Sequence, residues 1–169
     1  MIRDLLTGGD RRSLGHSDQA VLLIANHPAR FGELLECLWD EDPVVRMRAA
    51  DAAEKASLAS PQLLQRHKRE LLGLLEEAVQ PELRWHLALM IPRLNLSAQE
   101  RNRAHDALST YLDNRSSIVK TLAMQGLADL AAQDARLKPD IVERIRTLTR
   151  TGTPAMRARG RKLLAKLET

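Results

Sequence analysis

Five histidines (His16, His27, His67, His86 and His105) and a single cysteine, Cys37, are the residues of this chain best able to ligate a metal or attack as a nucleophile. Their spacing argues against both uses. No two histidines stand three or four residues apart, and none neighbours Cys37 in a ligand pattern, whereas a metal site needs convergent ligands of suitable type. Cys37 follows Leu34 and Leu35 on a helix-like stretch and reads as a small buried hydrophobe. Asp40, Glu41 and Asp42 together have the chemistry for acid–base work or for holding a cation. Asp42 has a simpler role as a helix N-cap, where negative charge suits the helix terminus. Thr7-Gly8-Gly9 lacks both the preceding strand and the following Lys-Ser/Thr of a phosphate loop, and Gly152 reads as a helix breaker. No catalytic residue, metal ligand, cofactor or small-molecule substrate is expected, and the chain reads as non-enzymatic.

The other chemistry available is recognition by cations. From Arg136 onward there are ten Lys/Arg against three Asp/Glu, while the residues before it hold sixteen against nineteen, so the net charge of +4 comes from the last part of the chain. The final helical stretch, TPAMRARGRKLLAKLE, is amphipathic. Met156, Gly160, Leu163, Leu164 and Leu167 take the inward face, and Arg157, Arg159, Arg161, Lys162 and Lys166 cover the rest. That surface could contact nucleic-acid phosphates, displacing counterions. The favoured reading is a solvated polar cap on the open end of the stack of helices, and cations near a helix C-terminus also suit its dipole. No aromatic residue interleaves it, so base stacking there is not expected.

The elements that must position these groups are helical. Leu and Ala dominate the apolar residues, and aromatics are only 2% of the chain (Phe31, Trp39, Trp85 and Tyr111). That is helix rather than strand composition. The single cysteine excludes an intrachain disulfide and is consistent with a reducing compartment. The N-terminal residues lack the apolar stretch of a signal peptide, and no apolar run nears the ~18 residues of a membrane span. A cytoplasmic protein is expected, with no membrane partner.

Four segments repeat, beginning at Asp42, Gln80, Ser116 and Thr153, and each carries an apolar residue followed by a base: Val45-Arg46, Leu83-Arg84, Val119-Lys120 and Met156-Arg157. The bases are 38, 36 and 37 residues apart. Positions three, seven and ten after the base are apolar or small, and with the residue before the base they share one helix face. Preceding stretches, roughly Ala29–Trp39, Pro61–Val79, Ala98–Tyr111 and Pro139–Thr149, supply a first helix to each. Leu71, Leu72, Leu74 and Leu75 pack the second of these, and a short helix at about Asp18–Ala25 caps the N-terminal end. Pro43, Pro61, Pro81, Pro139 and Pro154 mark helix starts, and Ser97 with Glu100 forms a capping-box pattern. Pro92 should kink or end its helix. Thr7–Ser17 reads as the loosest loop.

Helical hairpins at such a period bury their apolar faces by stacking. The segment DPVVRMRAADA resembles the HEAT-repeat (armadillo-like) family, although Gln80, Ser116 and Thr153 stand where Asp is usual and Lys120 where Arg is usual. The resemblance implies a right-handed α-solenoid of about four hairpins over 29–169, preceded by an N-terminal segment and capping helix over 1–28, in one domain. It implies that the recurring bases are structural, tying the turns of adjacent repeats, and that the second helices line a concave face. Opposite the core face stand Met47 and Asp51, Trp85 and Leu89, Thr121 and Gln125, Ala158 and Lys162. Met47, Trp85, Leu89 and Gln125 are the expected contacts for a protein partner, with Trp85 and Leu89 either exposed anchors or core. The leading expectation is therefore a protein-binding scaffold. The alternative is nucleic-acid binding through Arg157, Arg159, Arg161, Lys162 and Lys166. HEAT-like repeats also occur in a family of bacterial DNA glycosylases and in phycobilisome lyases, but neither a Trp–Asp–Arg constellation nor a Cys/His lyase site can be placed here.

Overall fold

The computed structural model describes residues 1–10 and 12–169, in which the protein is all-α and no strand occurs. Ten α-helices follow in order: α1 (Ile2–Leu6), α2 (Ser17–Asn26), α3 (Phe31–Glu36), α4 (Pro43–Ala59), α5 (Lys68–Glu77), α6 (Pro81–Met90), α7 (Ala98–Tyr111), α8 (Ser117–Gln133), α9 (Lys138–Thr151) and α10 (Pro154–Leu167). They form two compact units, Met1–Glu70 and Leu71–Thr169.

The local signals act as the residues dictate. Pro occupies the first turn of α4, α6 and α10. The Asp42 carboxylate accepts the Val44 amide at 2.8 Å, and Ser97 and Glu100 close a reciprocal capping box over α7 at 2.7 and 3.1 Å. Each satisfies amides that have no partner inside the helix. Pro92 does end α6, which finishes in a short 3₁₀ turn over Ile91–Arg93. Two expected helices are partly 3₁₀ instead. The stretch from Ala29 to Trp39 is α-helical only over α3, between 3₁₀ turns at Pro28–Arg30 and Cys37–Trp39. The stretch from Pro61 begins with 3₁₀ turns over Pro61–His67 before α5. The short helix α1 was not anticipated.

The second unit is built on α8. Helices α6 and α10 pack along it, α7 and α9 also lie against it, and α9 packs on α10. Close approach is set by a small residue: a Cβ on Gly126 would stand 2.4 Å from the Ala88 carbonyl oxygen, so only glycine lets α8 meet α6 there. The four repeated apolar columns are buried throughout except Leu164, which is half-buried. Tyr111 on α7 is buried, with its hydroxyl donating to the Leu75 carbonyl and the Arg84 guanidinium 4.9 Å above its ring.

In the first unit α4 is covered on more than one side, its C-terminal end excepted, where Leu58 and Ala59 are exposed. Helices α1 and α2 cover one side, and α3 with its flanking turns covers another. Ten of its residues are buried: Val45, Met47, Arg48, Ala49, Ala50, Asp51, Ala52, Ala53, Ala56 and Ser57. The segment Thr7–Ser17, expected to be loose, keeps residues 8–10 and 12–16 exposed but turns several of its carbonyls onto Arg48. That guanidinium is fully buried and donates to the carbonyls of Leu6 at 3.0 Å, Thr7 at 3.3 Å, Asp10 at 3.1 Å and Ser13 at 3.0 Å, and to that of Gly8. Aiming those carbonyls at one point requires left-handed backbone at Gly8, Gly9 and Gly15. At Gly15 a Cβ would lie 2.9 Å from the guanidinium carbon, so the close approach also demands glycine. Arg11 lies outside the described residues.

Removing this cation leaves buried carbonyls without donors, each costing about 1–3 kcal/mol unless the loop opens to water. Arg48→Met should therefore destabilise the protein by roughly 3 kcal/mol or more. In native-state hydrogen exchange the amides of residues 2–6 and 17–26 should lose protection beyond the global change. Unchanged stability in urea titration would show that the loop is not held by Arg48.

Candidate functional site

The recurring bases come first because they could be mistaken for a site. Arg46 donates to the carbonyls of Asp40 at 2.6 Å and Glu41 at 3.1 Å. Arg84 donates to that of Ala78 at 2.7 Å and Arg157 to that of Gly152 at 2.9 Å. Each guanidinium thus folds back onto the turn that leads into its own helix, five or six residues earlier, where helix-terminal carbonyls lack partners. The expectation that these bases tie adjacent repeats is met in part by Arg84, which also stacks on Tyr111 of the following hairpin. Arg157 therefore closes a turn, although it was grouped with the basic residues of α10.

Met47 does not stand on an open face. It is buried, 8% exposed, and its neighbour on that face, Asp51, is 7% exposed. The reason is α2: the Ser17 hydroxyl donates to Asp51 at 3.1 Å, and Lys55 bridges Asp51 at 2.9 Å and Asp18 at 3.1 Å. The N-terminal helix covers the side of α4 that the repeat pattern left open. Trp85 and Leu89 on α6 are both half-buried.

On α8 and α10 the face is open. Two adjoining hollows of about 480 and 760 Å³ run between these helices and share Gln125, Leu163 and Lys166. Thr121, Arg159 and Lys162 line the outer hollow, and Asp129, Gln133 and Lys138 the inner one. The space exists because alanines stand where longer side chains would fill it, at Ala128, Ala132 and Ala135 beside α8 and at Ala155, Ala158 and Ala165 on α10.

The polar groups in the groove form a chain. Arg159 Nη1 donates to Gln125 Oε1 at 2.7 Å, and Gln125 Nε2 donates to Asp129 Oδ1 at 2.9 Å. Burial pushes the Asp129 carboxyl above the usual aspartate range, against the opposing pull of Gln125, Lys166, Arg93 and Arg159. So Gln125 and the trio Arg159, Lys162 and Lys166, singled out on separate grounds, meet in one place. Arg161 is exposed and lines neither hollow. Asp129 and Lys138 were not anticipated. A carboxylate one turn beyond Gln125 on a helix otherwise rich in Ala and Leu was the available signal for Asp129.

The remaining reactive groups have structural partners. Cys37 is buried, and burial beside Asp40 pushes its thiol up to about 11, which leaves it without thiolate character at neutral pH. Asp40 is held by Arg3 at 2.6 Å and Asp42 caps α4. His105 lies between Asp106 at 3.1 Å and Asp140 at 2.8 Å, joining α7 to α9. Among the described residues no group of three or more His, Cys, Asp or Glu is placed to hold a metal ion. Among them, too, no helix is long and apolar enough to cross a membrane. No protein-family model, curated protein or solved structure matches this chain.

Asp129 makes a pH prediction. Its folded carboxyl binds a proton more readily than the unfolded one, so its contribution to stability is greatest below the ordinary value of 3.8 and is lost as pH rises through the raised folded value. Asp129→Asn should raise the urea midpoint at neutral pH, and the gain should shrink in mildly acidic buffer. A lower midpoint at neutral pH would mean that the surrounding cations outweigh burial.

Proposed function

We propose that this chain is a non-enzymatic, HEAT-like scaffold, a right-handed solenoid of helical hairpins that binds another protein through the face carried by α6, α8 and α10. The observation that carries the reading is the Arg159–Gln125–Asp129 chain, set in an open groove lined otherwise by alanines, Leu163, Leu167, Thr121, Gln133 and three lysines. Trp85 and Leu89, half-buried on α6, supply the apolar contacts of the same face. Met47 has no part in it because α2 covers that side of α4. A cytoplasmic setting belongs to this reading, in keeping with the free, buried Cys37. The fold argument is the repeat itself: four apolar columns at a period near 37, carried on helices that pack in sequence on α8 in the second unit.

The nucleic-acid reading keeps Arg159, Lys162 and Lys166 but loses Arg157 to its turn. It must also accommodate a carboxylate among the phosphate contacts. No aromatic side chain lines either hollow, so bases have no platform on which to stack.

Photo-crosslinkers placed at positions 85, 89 and 125, with position 150 as an exposed control, should give discrete protein adducts from the first three only. Trp85→Ala should abolish the adducts at 89 and 125 while far-UV circular dichroism stays unchanged. Labelled duplex DNA, single-stranded DNA and RNA should not bind at physiological salt. Steeply salt-dependent nucleic-acid binding that is lost on reversing Arg159 and Lys162 would replace this reading with the alternative.

A further inference from the structure

The groove between α8 and α10 is chemically specific enough to define its occupant. We infer that it receives an acidic amphipathic helix of a partner protein, about three turns long, with its carboxylates on Lys162, Lys166 and Lys138 and its apolar side on the alanine and Leu163 floor. This rests on the proposed protein-binding function and adds the partner's chemistry.

Charge is the first argument. Four cations (Arg159, Lys162, Lys166 and Lys138) line the two hollows against one carboxylate, Asp129. The Arg159 guanidinium is already engaged by Gln125. Lys162 at one end, Lys138 at the other and Lys166, which lines both hollows, are left to face an incoming ligand. Such a rim attracts an acidic segment and repels a basic one, which fixes orientation and partner choice more than raw affinity.

Form is the second argument. An extended peptide gains its main-chain hydrogen bonds from an open sheet edge. Helices α8 and α10 flank this groove, and no strand edge borders it among the described residues. A ligand lying here must satisfy its own backbone, and a helix does so. From Thr121 to Gln133 the groove follows α8 for about 18 Å at 1.5 Å per residue, the length of three helical turns. Methyl groups on the floor admit a helix at the close spacing that small residues permit. The mixed floor and rim also separate this ligand from nucleic acid, which has no use for an apolar floor and is opposed by Asp129.

The test uses the full chain and defined probes in fluorescence anisotropy. These are a twelve-residue peptide with Glu on one helical face and Leu/Ala on the other, its Lys-for-Glu counterpart, polyglutamate of equal length, and a single-stranded DNA of equal charge. The acidic amphipathic peptide should bind most tightly and the Lys counterpart not at all. The double variant Lys162→Glu/Lys166→Glu should weaken it roughly tenfold, and Asp129→Asn should strengthen it roughly two- to fivefold. Arg161→Glu, outside the groove, should leave it unchanged. Circular dichroism of the variants excludes misfolding. Failure of the acidic peptide to bind, equal loss with Arg161→Glu, or tighter binding of polyglutamate or DNA would each overturn the inference. If the adducts from positions 85 and 125 persist while the acidic peptide fails, only the partner's chemistry is wrong. If both fail, the scaffold reading falls as well.

Discussion

The first unit is built around a buried cation, Arg48, that no carboxylate pairs with among the described residues. Arg48 sits fully buried on α4, and the acceptors on its guanidinium are main-chain carbonyls. An isolated buried charge costs several kcal/mol even after relaxation. Here that cost is offset by converging carbonyl dipoles, which a guanidinium with five donors in a fixed plane is shaped to meet. The consequence reaches beyond Arg48 itself. The carbonyls of Leu6, Thr7, Gly8, Asp10 and Ser13 must point at it, three glycines adopt left-handed backbone, and α1 and α2 lie against α4. The covered state of Met47 and Asp51 follows from that arrangement, so the first hairpin presents a closed face on that side.

The same physical device recurs at lower cost elsewhere. Arg46, Arg84, Arg101 and Arg157 each donate to a carbonyl in the turn just before or at the start of their own helix. Turn carbonyls left over by helix ends need donors, and arginine reaches them while keeping much of its charge near water. Arg101 also bridges the buried Asp134 carboxylate at 3.0 Å, and Arg136 grips the same group. Together these hold that carboxyl well below the usual aspartate range. Arginine therefore serves mainly as mortar in this chain. That makes a raw count of basic residues a poor guide to where a ligand goes, and it is why the basic set on α10 divides as it does. Arg157 is committed to a turn, Arg161 points away, and Arg159 with two lysines faces the groove.

The helices and the buried columns were legible because burial against a neighbour imposes a period that sequence cannot hide. Val45, Leu83, Val119 and Met156 head four columns that are buried almost without exception, and the caps at Asp42, Ser97 and Thr153 act as their residue types require. What was not legible depended on chain segments with no period of their own. Thr7–Ser17 is rich in Gly, Asp and Ser, the composition of a loose loop, and only the buried Arg48 turns it into a fixed one. The available signal was in α4: alanines on every side mark a helix covered on more than one side, and an arginine within it must find buried partners. Extending the open face of the later repeats to Met47 failed for the same reason, since the terminal helix α2 lies outside the repeat. In the groove, Gln125, Arg159, Lys162 and Lys166 were legible one by one. Their convergence was not, because it depends on how α8 and α10 cross.

If the groove binds as proposed, its half-buried carboxylate works against the net charge of its cations, and the reason lies in the free protein. Without Asp129, Gln125 would lose the acceptor for its amide. The Arg159–Gln125–Asp129 chain fixes the guanidinium in one place before any ligand arrives, so a partner need not bear the entropy of ordering it. The carboxylate opposes a dense run of phosphates more than a helix whose acidic groups are spaced a turn apart, because only the latter can set its charges beside the lysines and leave Asp129 its own partners. On the proposed reading, Asp129 trades some affinity for a preset geometry and for discrimination among polyanions. On that reading the groove selects by the spacing of negative charge as well as by its sign.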